Sequence, residues 1–276
     1  MRAVRGLVIA LLHVPPLTLP WVATTAAHWV AFAVAYVVIL FALGGGLHRY
    51  FAHRAFHTSR AFQFVLGLLA GACFGDPIGF AARHRLHHRW SDTEYDFHGP
   101  RRGFWFSWVG HLLHDGYPER ELRAVTGDLT RYPELVWLHR WFFVPGIATA
   151  GIVWLAGGWA TFAATYCLPW CLVAIHGASA VNYICHKHGR HRYATGDAST
   201  NHAVLGVVLL GEGWHNNHHH YPAAARAGFF WWEVDGLYWL LRGLARLGLV
   251  RDLREVPAHV RDSGLAGADG ATTWAR

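Results

Sequence analysis

Gly211-Glu212-Gly213-Trp214-His215-Asn216-Asn217-His218-His219 places three imidazoles at relative positions 0, +3 and +4. On a helix turning about 100° per residue, these offsets fall within roughly 100° of arc, so the three rings share one face. Packing accounts poorly for such a face, because three polar rings side by side need partners that an apolar core does not offer. The pattern recurs. His84-Arg85-Leu86-His87-His88 has the same spacing, and His48-Arg49-Tyr50-Phe51-Ala52-His53 adds a pair five apart. Asn182-Tyr183-Ile184-Cys185-His186 sets an Asn and a His one turn apart. Residues five apart lie about 140° apart on an α-helix, so His48 and His53 sit where a helix ends, or serve two different ions. The candidate cluster is then His48, His53, His84, His87, His88, His186, His215, His218 and His219, with Asn182. Neutral imidazole is the commonest protein ligand for iron, zinc and copper. These donors are too many for one ion of about four to six ligands. Two ions are implied. With 22 His in the chain, any single one reads equally well as structural, and it is the recurrence that carries the argument. His13, His28 and His176 lie in or beside apolar blocks and read as hydrogen-bonded within a bundle.

The chain has 276 residues, 53% of them hydrophobic, with 15 Trp, and the apolar residues come in blocks. Blocks from Gly6 to Ala23, Trp29 to Leu47, Phe62 to Ala82, Trp141 to Trp154 and Thr161 to Val181 approach the roughly 20 residues that cross a bilayer. Pro15, Pro16 and Pro20, with no clear small-residue cleavage site, make the first block a membrane span rather than a signal peptide. The net charge of +7 is carried by Arg, Lys187 being the only Lys. Because the Arg residues flank apolar blocks, anionic headgroups and the positive-inside rule explain them, and nucleic acid is not an expected partner. Cys73, Cys167, Cys171 and Cys185 fall in or beside apolar blocks without a C-x-x-C spacing and read as free buried thiols. The Arg, Ala and Gly bias suggests a bacterial genome rich in GC, hence an inner membrane.

Arg2 and Arg5 precede the first block and no Lys or Arg lies between 24 and 28, so the N-terminus is expected in the cytoplasm. The second span returns there with His48 and His53. If 62–82 crossed as well, His84, His87 and His88 would lie about 30 Å of hydrocarbon away from them. Gly75-Asp76-Pro77 also breaks that block, which predicts an in-plane or re-entrant helix. The expected fold is an all-α integral membrane protein with four transmembrane helices (about 6–23, 29–47, 141–156 and 161–181). A membrane-skimming helix at 62–82 and a helical cytoplasmic cap (83–137 and 183–257) holding the metals complete a domain over 1–257. A flexible tail follows over 258–276. Both termini and the metal site are expected on the cytoplasmic side, and Leu237 to Leu249 is expected to form an amphipathic helix on the cap or the lipid surface.

These residues resemble the membrane-bound, histidine-box fatty acyl desaturases, in the branch of the delta-9 acyl-CoA and bacterial acyl-lipid enzymes. The resemblance runs from about Leu47 to Pro257. It rests on the His48/His53 box, the His84/His87/His88 box with Arg101-Arg102-Gly103-Phe104 downstream, Asn182-x-x-x-His186 and Gly211 to His219. Thr195 to Asn201 and Trp231-Trp232-Glu233 are similar to the bacterial members. The resemblance implies two non-haem irons ligated by the nine His named above, Asn182 close to one iron through water, and O2 as co-substrate. It also implies a fatty acyl substrate (acyl-lipid, acyl-CoA or acyl-carrier protein) and a separate electron donor of the ferredoxin, rubredoxin or cytochrome b5 type. No H-P-G-G stretch marks an attached cytochrome b5. Ala82-Arg83 and Asp115-Gly116 depart from the pairs that contact CoA in the animal enzymes, which favours acyl-lipid or acyl-carrier substrates. Trp108 and His111 are exchanged relative to the usual Ser-His-x-Gly-Trp.

The expected reaction inserts a cis double bond into a saturated acyl chain. No side-chain base can deprotonate an unactivated methylene, whereas iron with dioxygen can abstract its hydrogens. Ligating imidazoles need an acceptor for the second ring N–H, and Glu212, Asp96 and Asp92 are the expected ones, with Glu94 and Asp128 as further candidates. Arg101 and Arg102 are candidates for an anionic substrate headgroup. Phe104 to Phe106, Trp214 and Trp231 are candidates to line an acyl tunnel, against the commoner role of such rings as core. The alternatives are a di-iron lipid hydroxylase or oxidase of the same architecture and, from another class, a His-rich membrane metal transporter. A transporter would carry ionisable residues through the spans, which these blocks do not.

Overall fold

Apolar blocks with few charges satisfy their backbone only within themselves, so in lipid they become helices. The computed structural model describes residues 2–114 and 116–264, with the side chains of 2–5 excepted. Among the described residues the regular structure is mostly helical, with one antiparallel pair of two-residue strands, β1 (His57–Thr58) and β2 (Val250–Arg251), and isolated bridges from Asn201 to Arg190 and Trp214. Asp115 of the departing pair lies outside the described residues, as does 265–276 of the expected tail.

Helix α1 (Arg2–Leu17) carries Pro15 and Pro16 in its last turn, and a single 3-10 turn, Leu19–Trp21, follows. The prolines stop the helix early because they lack the N–H that the next turn needs. The apolar helical stretch Gly6–Trp21 is therefore shorter than the first expected span. Helix α2 (Ala26–Leu40) starts at Thr25, whose N–H donates to His28 Nδ1 at 3.0 Å. It runs unbroken into a π-helical segment, Phe41–Ala52, giving 27 residues from Ala26 to Ala52, more than the roughly 20 a bilayer requires.

Helices α3 (Arg60–Ala72) and α4 (Pro77–Trp90) meet at 86°. The break coincides with Gly75-Asp76-Pro77. Asp76 caps α4, its Oδ1 accepting from Gly79 N–H at 2.9 Å, with Pro77 at the first helical position. The charge inside an apolar run is therefore a helix start. The carbonyls freed at the end of α3 are also met, Ala72 O by Tyr166 Oη at 2.9 Å and Cys73 O by Trp170 Nε1 at 2.9 Å.

The 42-residue helical stretch Phe143–Ile184 is two arms. Gly158 adopts φ 67°, ψ −168°, a conformation open to glycine, and the chain turns back there. Tyr166 Oη donates to Gly146 O at 2.9 Å, although the two are 20 residues apart; on a straight helix they would lie about 30 Å apart. By length and composition, Ala26–Ala52 and Phe143–Ile184 are apolar enough to cross a membrane, and the bent pair α3/α4 adds a third if it is one span. Val30, Val34, Ile147, Ile152 and Leu155 point outward on these helices, with Leu155 84% exposed. Exposed apolar faces of this kind on long apolar helices fit contact with lipid. The molecule is a helical membrane protein.

Beyond the spans the chain wraps back onto the ends of α2 and α4. Leu47, Phe51, Phe56, Leu66, Leu135 and Leu138 form a buried core there with Leu241 and Val250. The four cysteines are free and buried. The expected flexible tail opens with a short helix, Ala258–Asp262, tied down by Tyr193 Oη donating to Arg261 O at 2.6 Å.

Arg49, 3% exposed, joins the two halves: its Nη1 lies 3.0 Å from Asp235 and its Nη2 3.0 Å from Glu212. Asp235 is 1% exposed and also accepts from Ala227, Gly228 and Tyr238 N–H. Removing the cation leaves a buried carboxylate uncompensated, so Arg49→Leu is expected to destabilise the fold by about 3–5 kcal/mol. Thermal unfolding in detergent, with a midpoint within a degree of wild type, would refute this.

Candidate metal centre

The His48/His53 spacing is explained by the helix that carries it. His53 N–H donates to His48 O at 3.2 Å, a bond spanning five residues. That is the π-helical bond, and it brings residues five apart onto one line, with ring centroids 5.0 Å apart. His53 also caps the helix, so the first of the two sequence expectations, a helix end, is what the backbone does. Both rings serve the same group.

Helix α4 supplies His84, His87 and His88, and the short helix His215–His220 supplies His215, His218 and His219. His186 lies two residues beyond Ile184, where the last helix ends. The nine rings divide into two groups. His48, His53, His84, His88 and His218 form one, and His87, His186, His215 and His219 the other, with the ligand atoms of each group within 4.8 Å of one another. In both His triplets the shared face is split: His84 and His88, one turn apart, enter the first group and His87 the second, while His215 and His219 enter the second and His218 the first.

Carboxylates orient these rings. Glu212 Oε2 lies 2.5 Å from His48 Nδ1, Asp96 3.1 Å from His87 Nδ1 and Asp92 Oδ2 2.8 Å from His186 Nδ1. Asp197 Oδ2 lies 2.7 Å from His219 Nδ1. Asp128 instead bridges Arg54 and Arg85, and Glu94 is exposed. Burial would raise the Asp96 carboxyl, but hydrogen bonds to His87 and His98 outweigh it and hold the group well below the usual carboxylate range. Burial would raise Glu212 too, but its interactions with His48 and the Arg49 guanidinium outweigh it and bring it down to about 2.

A ring whose Nδ1–H is given to a carboxylate presents a bare lone pair at Nε2. His48 Nε2 nevertheless lies 2.9 Å from His218 Nε2, and His186 Nε2 lies 2.9 Å from His215 Nε2. The Nε2 atoms of His53 and His219 are buried with no partner at all. Converging lone pairs and orphaned nitrogens inside a protein are satisfied by a cation. The donor set, all imidazole with carboxylates behind it, therefore fits two metal ions, one per group. Burial first, and then the neighbouring imidazoles, push His53, His215, His218 and His219 well below their ordinary 6.5, so all four are neutral and able to ligate.

Asn216 and Asn217, both 0% exposed, lock the third box. Asn216 Oδ1 accepts from the N–H groups of Arg192 and Tyr193 at 2.8 Å each, and Asn217 Nδ2 donates to Glu233 Oε2 at 2.9 Å. Sequence reasoning gave no role to either, nor to Asp197. The signal for the asparagines was available, since two amides enclosed between ligands on a buried helix must find partners.

A cavity of about 400 Å³ opens beside the two groups. Leu40, Phe74, Trp170, Val173 and Ile175 make its apolar length, and His48, His84, His215, Glu212 and Asn182 line it where it meets the centre. The aromatic lining differs from expectation. Trp214 is buried with Nε1 donating to Val234 O at 2.8 Å, Trp231 is 85% exposed, and neither they nor Phe104 to Phe106 line the space. Those residues sit outside the apolar bundle; the rings that line it come from Phe74, Phe80, Phe97, Phe142 and Trp170. Arg101 and Arg102 are exposed, Arg102 stacking over Phe106, and Arg83 is the Arg at the cavity. His13 and His176 pair at 3.3 Å, with Trp108 Nε1 donating to His176 Nδ1 at 3.1 Å, away from both groups.

Residues 24–252 match the family model described as fatty acid desaturase. An acyl-CoA 5-desaturase of Anemone leveillei is 31% identical over 257 residues, covering 90% of this chain and 78% of the relative. The sn-1 stearoyl-lipid 9-desaturase of Anabaena variabilis is 34% identical over 235 residues, 82% of this chain and 85% of its own length. The sn-2 palmitoyl-lipid 9-desaturase of Nostoc is 29% identical over 272 residues, 93% and 92% respectively. With two imidazole groups in a helical membrane protein and a family match over most of its length, the chain belongs to the fatty acid desaturases.

Proposed function

We propose that this protein is an oxygen-dependent desaturase that inserts a cis double bond into a saturated acyl chain at a non-haem di-iron centre. The observation that carries the proposal is the convergence of nine imidazoles into two buried groups beside a single apolar cavity. His48, His53, His84, His88 and His218 hold one iron. His87, His186, His215 and His219 would hold the other, and Asn182 would stand close to one of the two through water. Bound iron, together with dioxygen, supplies the oxidising power to remove two hydrogens from neighbouring methylenes. The residues do the rest. Glu212, Asp96, Asp92 and Asp197 fix the tautomer and aim of four imidazoles, and the apolar lining of Leu40, Phe74, Trp170, Val173 and Ile175 holds the chain beside the centre and excludes water. Arg83 at the cavity, and the departure of Ala82-Arg83 and Asp115-Gly116 from the pairs that contact CoA in the animal enzymes, support an acyl-lipid or acyl-carrier substrate over acyl-CoA; the relatives include enzymes of both the acyl-CoA and the acyl-lipid kind.

The arms either side of Gly158, α2 with its π-helical end, and α1 make four membrane passages in this reading, with α3/α4 entering and leaving on one side. All nine His then share the cytoplasmic side of a bacterial inner membrane.

The test is expression in a desaturase-deficient bacterium, with lipid and thioester pools analysed separately. New cis-unsaturated chains in the lipid pool are expected, and none with His218→Ala as the matched control. Chains that gain one oxygen instead of losing two hydrogens would overturn the reading in favour of a hydroxylase.

The buried imidazoles also fix a pH dependence. Their folded pKa values lie below the ordinary 6.5, so below that pH the unfolded chain binds protons that the folded one refuses. Stability is fully present above about 6.5 and is lost as pH falls through and below it. The unfolding midpoint in detergent is expected to drop progressively from pH 7.5 to 5.5; a flat profile over that range would count against neutral burial of the cluster.

A further inference from the structure

We propose that the exposed loop after His186 is the docking surface for a small acidic electron-carrier protein. The inference rests on the desaturase reading, because that reaction does not balance alone. The acyl chain gives up two electrons and two protons, while dioxygen takes four of each to become two waters. The other two electrons and two protons must be supplied from outside, the electrons one at a time by a carrier that leaves oxidised.

Lys187, His188, Arg190 and His191 are all exposed, and the segment from Lys187 to Arg192 contains no acid. Lys187 is the only Lys of the chain. The loop is held in place, with Lys187 and His188 N–H both bonded to Ile184 O and Arg190 exchanging both backbone hydrogen bonds with Asn201. One peptide bond separates Lys187 from His186, whose Nε2 lies 2.9 Å from His215 Nε2, so charge on the loop sits beside the second imidazole group. Arg101 adds to the patch, its Nη1 lying 3.4 Å from Asp92 O, and Asp92 is the carboxylate that holds His186. Arg192 is spent internally on Glu233. Neither Lys187 nor Arg190 lines the cavity. Fixed positive charge one peptide bond from His186, on a loop without acids, attracts and orients an acidic partner.

The test uses the full-length, iron-loaded protein in neutral-lipid nanodiscs, with a plant-type [2Fe–2S] ferredoxin as probe, and the double variant Lys187→Glu/Arg190→Glu. The expected result is a rise of about 10-fold or more in the Kd for oxidised ferredoxin at low salt, and a flattened salt dependence. Ferredoxin-driven turnover falls in step, while turnover driven by dithionite and a small viologen mediator is unchanged. An unaltered Kd and salt slope would overturn the proposal. So would equal losses with both reductants, which would mark the loop as structural, or a loss of binding to anionic vesicles with ferredoxin binding intact, which would assign it to lipid. Wild-type protein that yields no unsaturated product with either reductant would refute the desaturase reading, leaving the ferredoxin Kd to judge the surface separately.

Discussion

His186→Ala is expected to lower product formation by at least about 100-fold and bound iron from two per chain towards about one. The second group has four imidazoles where the first has five, so it tolerates the loss of a donor less. His186 is also the only imidazole of either group that follows directly on the apolar arm ending at Ile184. Its removal leaves Asp92 Oδ2 facing only Ala198 N–H, a carboxylate deprived of its main partner beside the centre. Metal analysis with paired product quantification reads both effects, and near-normal product with two irons would remove His186 from the ligand set. The fold should survive, since the ring packs against other imidazoles rather than against the apolar core.

Asp96→Asn is expected to reduce iron affinity or activity by about 10–100-fold without touching a ligand. Asp96 is 1% exposed and receives His87 Nδ1, His98 Nδ1 and the N–H groups of Asp92 and His98. The amide keeps the shape but loses the charge, and one of its faces becomes a donor opposed to the imidazole N–H. His87 is then free to adopt the other tautomer, with a proton at the nitrogen that must ligate. The signature that separates this from simple unfolding is a raised iron dissociation constant at an unchanged melting temperature of the metal-free protein. Equal loss of both would assign Asp96 to structure alone.

Much of this molecule was legible before any coordinates. The +3/+4 spacing of His84, His87 and His88 and of His215, His218 and His219 marked a shared imidazole face because helical periodicity is local. Gly75-Asp76-Pro77 marked a break for the same reason, since capping and the missing proline N–H act within one turn. Glu212, Asp96 and Asp92 were legible as acceptors because they lie within a few residues of the boxes, but the sequence could not separate them from Glu94 or say which ring each would hold.

What the sequence by itself determined is therefore whatever depends on neighbours along the chain: helices, breaks, apolar lengths and the chemistry of the donors. Only the tertiary structure decided which imidazole joins which group, that a π-helical bond aligns His48 with His53, and that Asp197 backs His219 while Trp214 and Trp231 stay out of the cavity. Those are contacts across as many as 170 residues. Their geometry follows from how α2, α4 and the 211–220 segment pack together, and no local propensity encodes that packing.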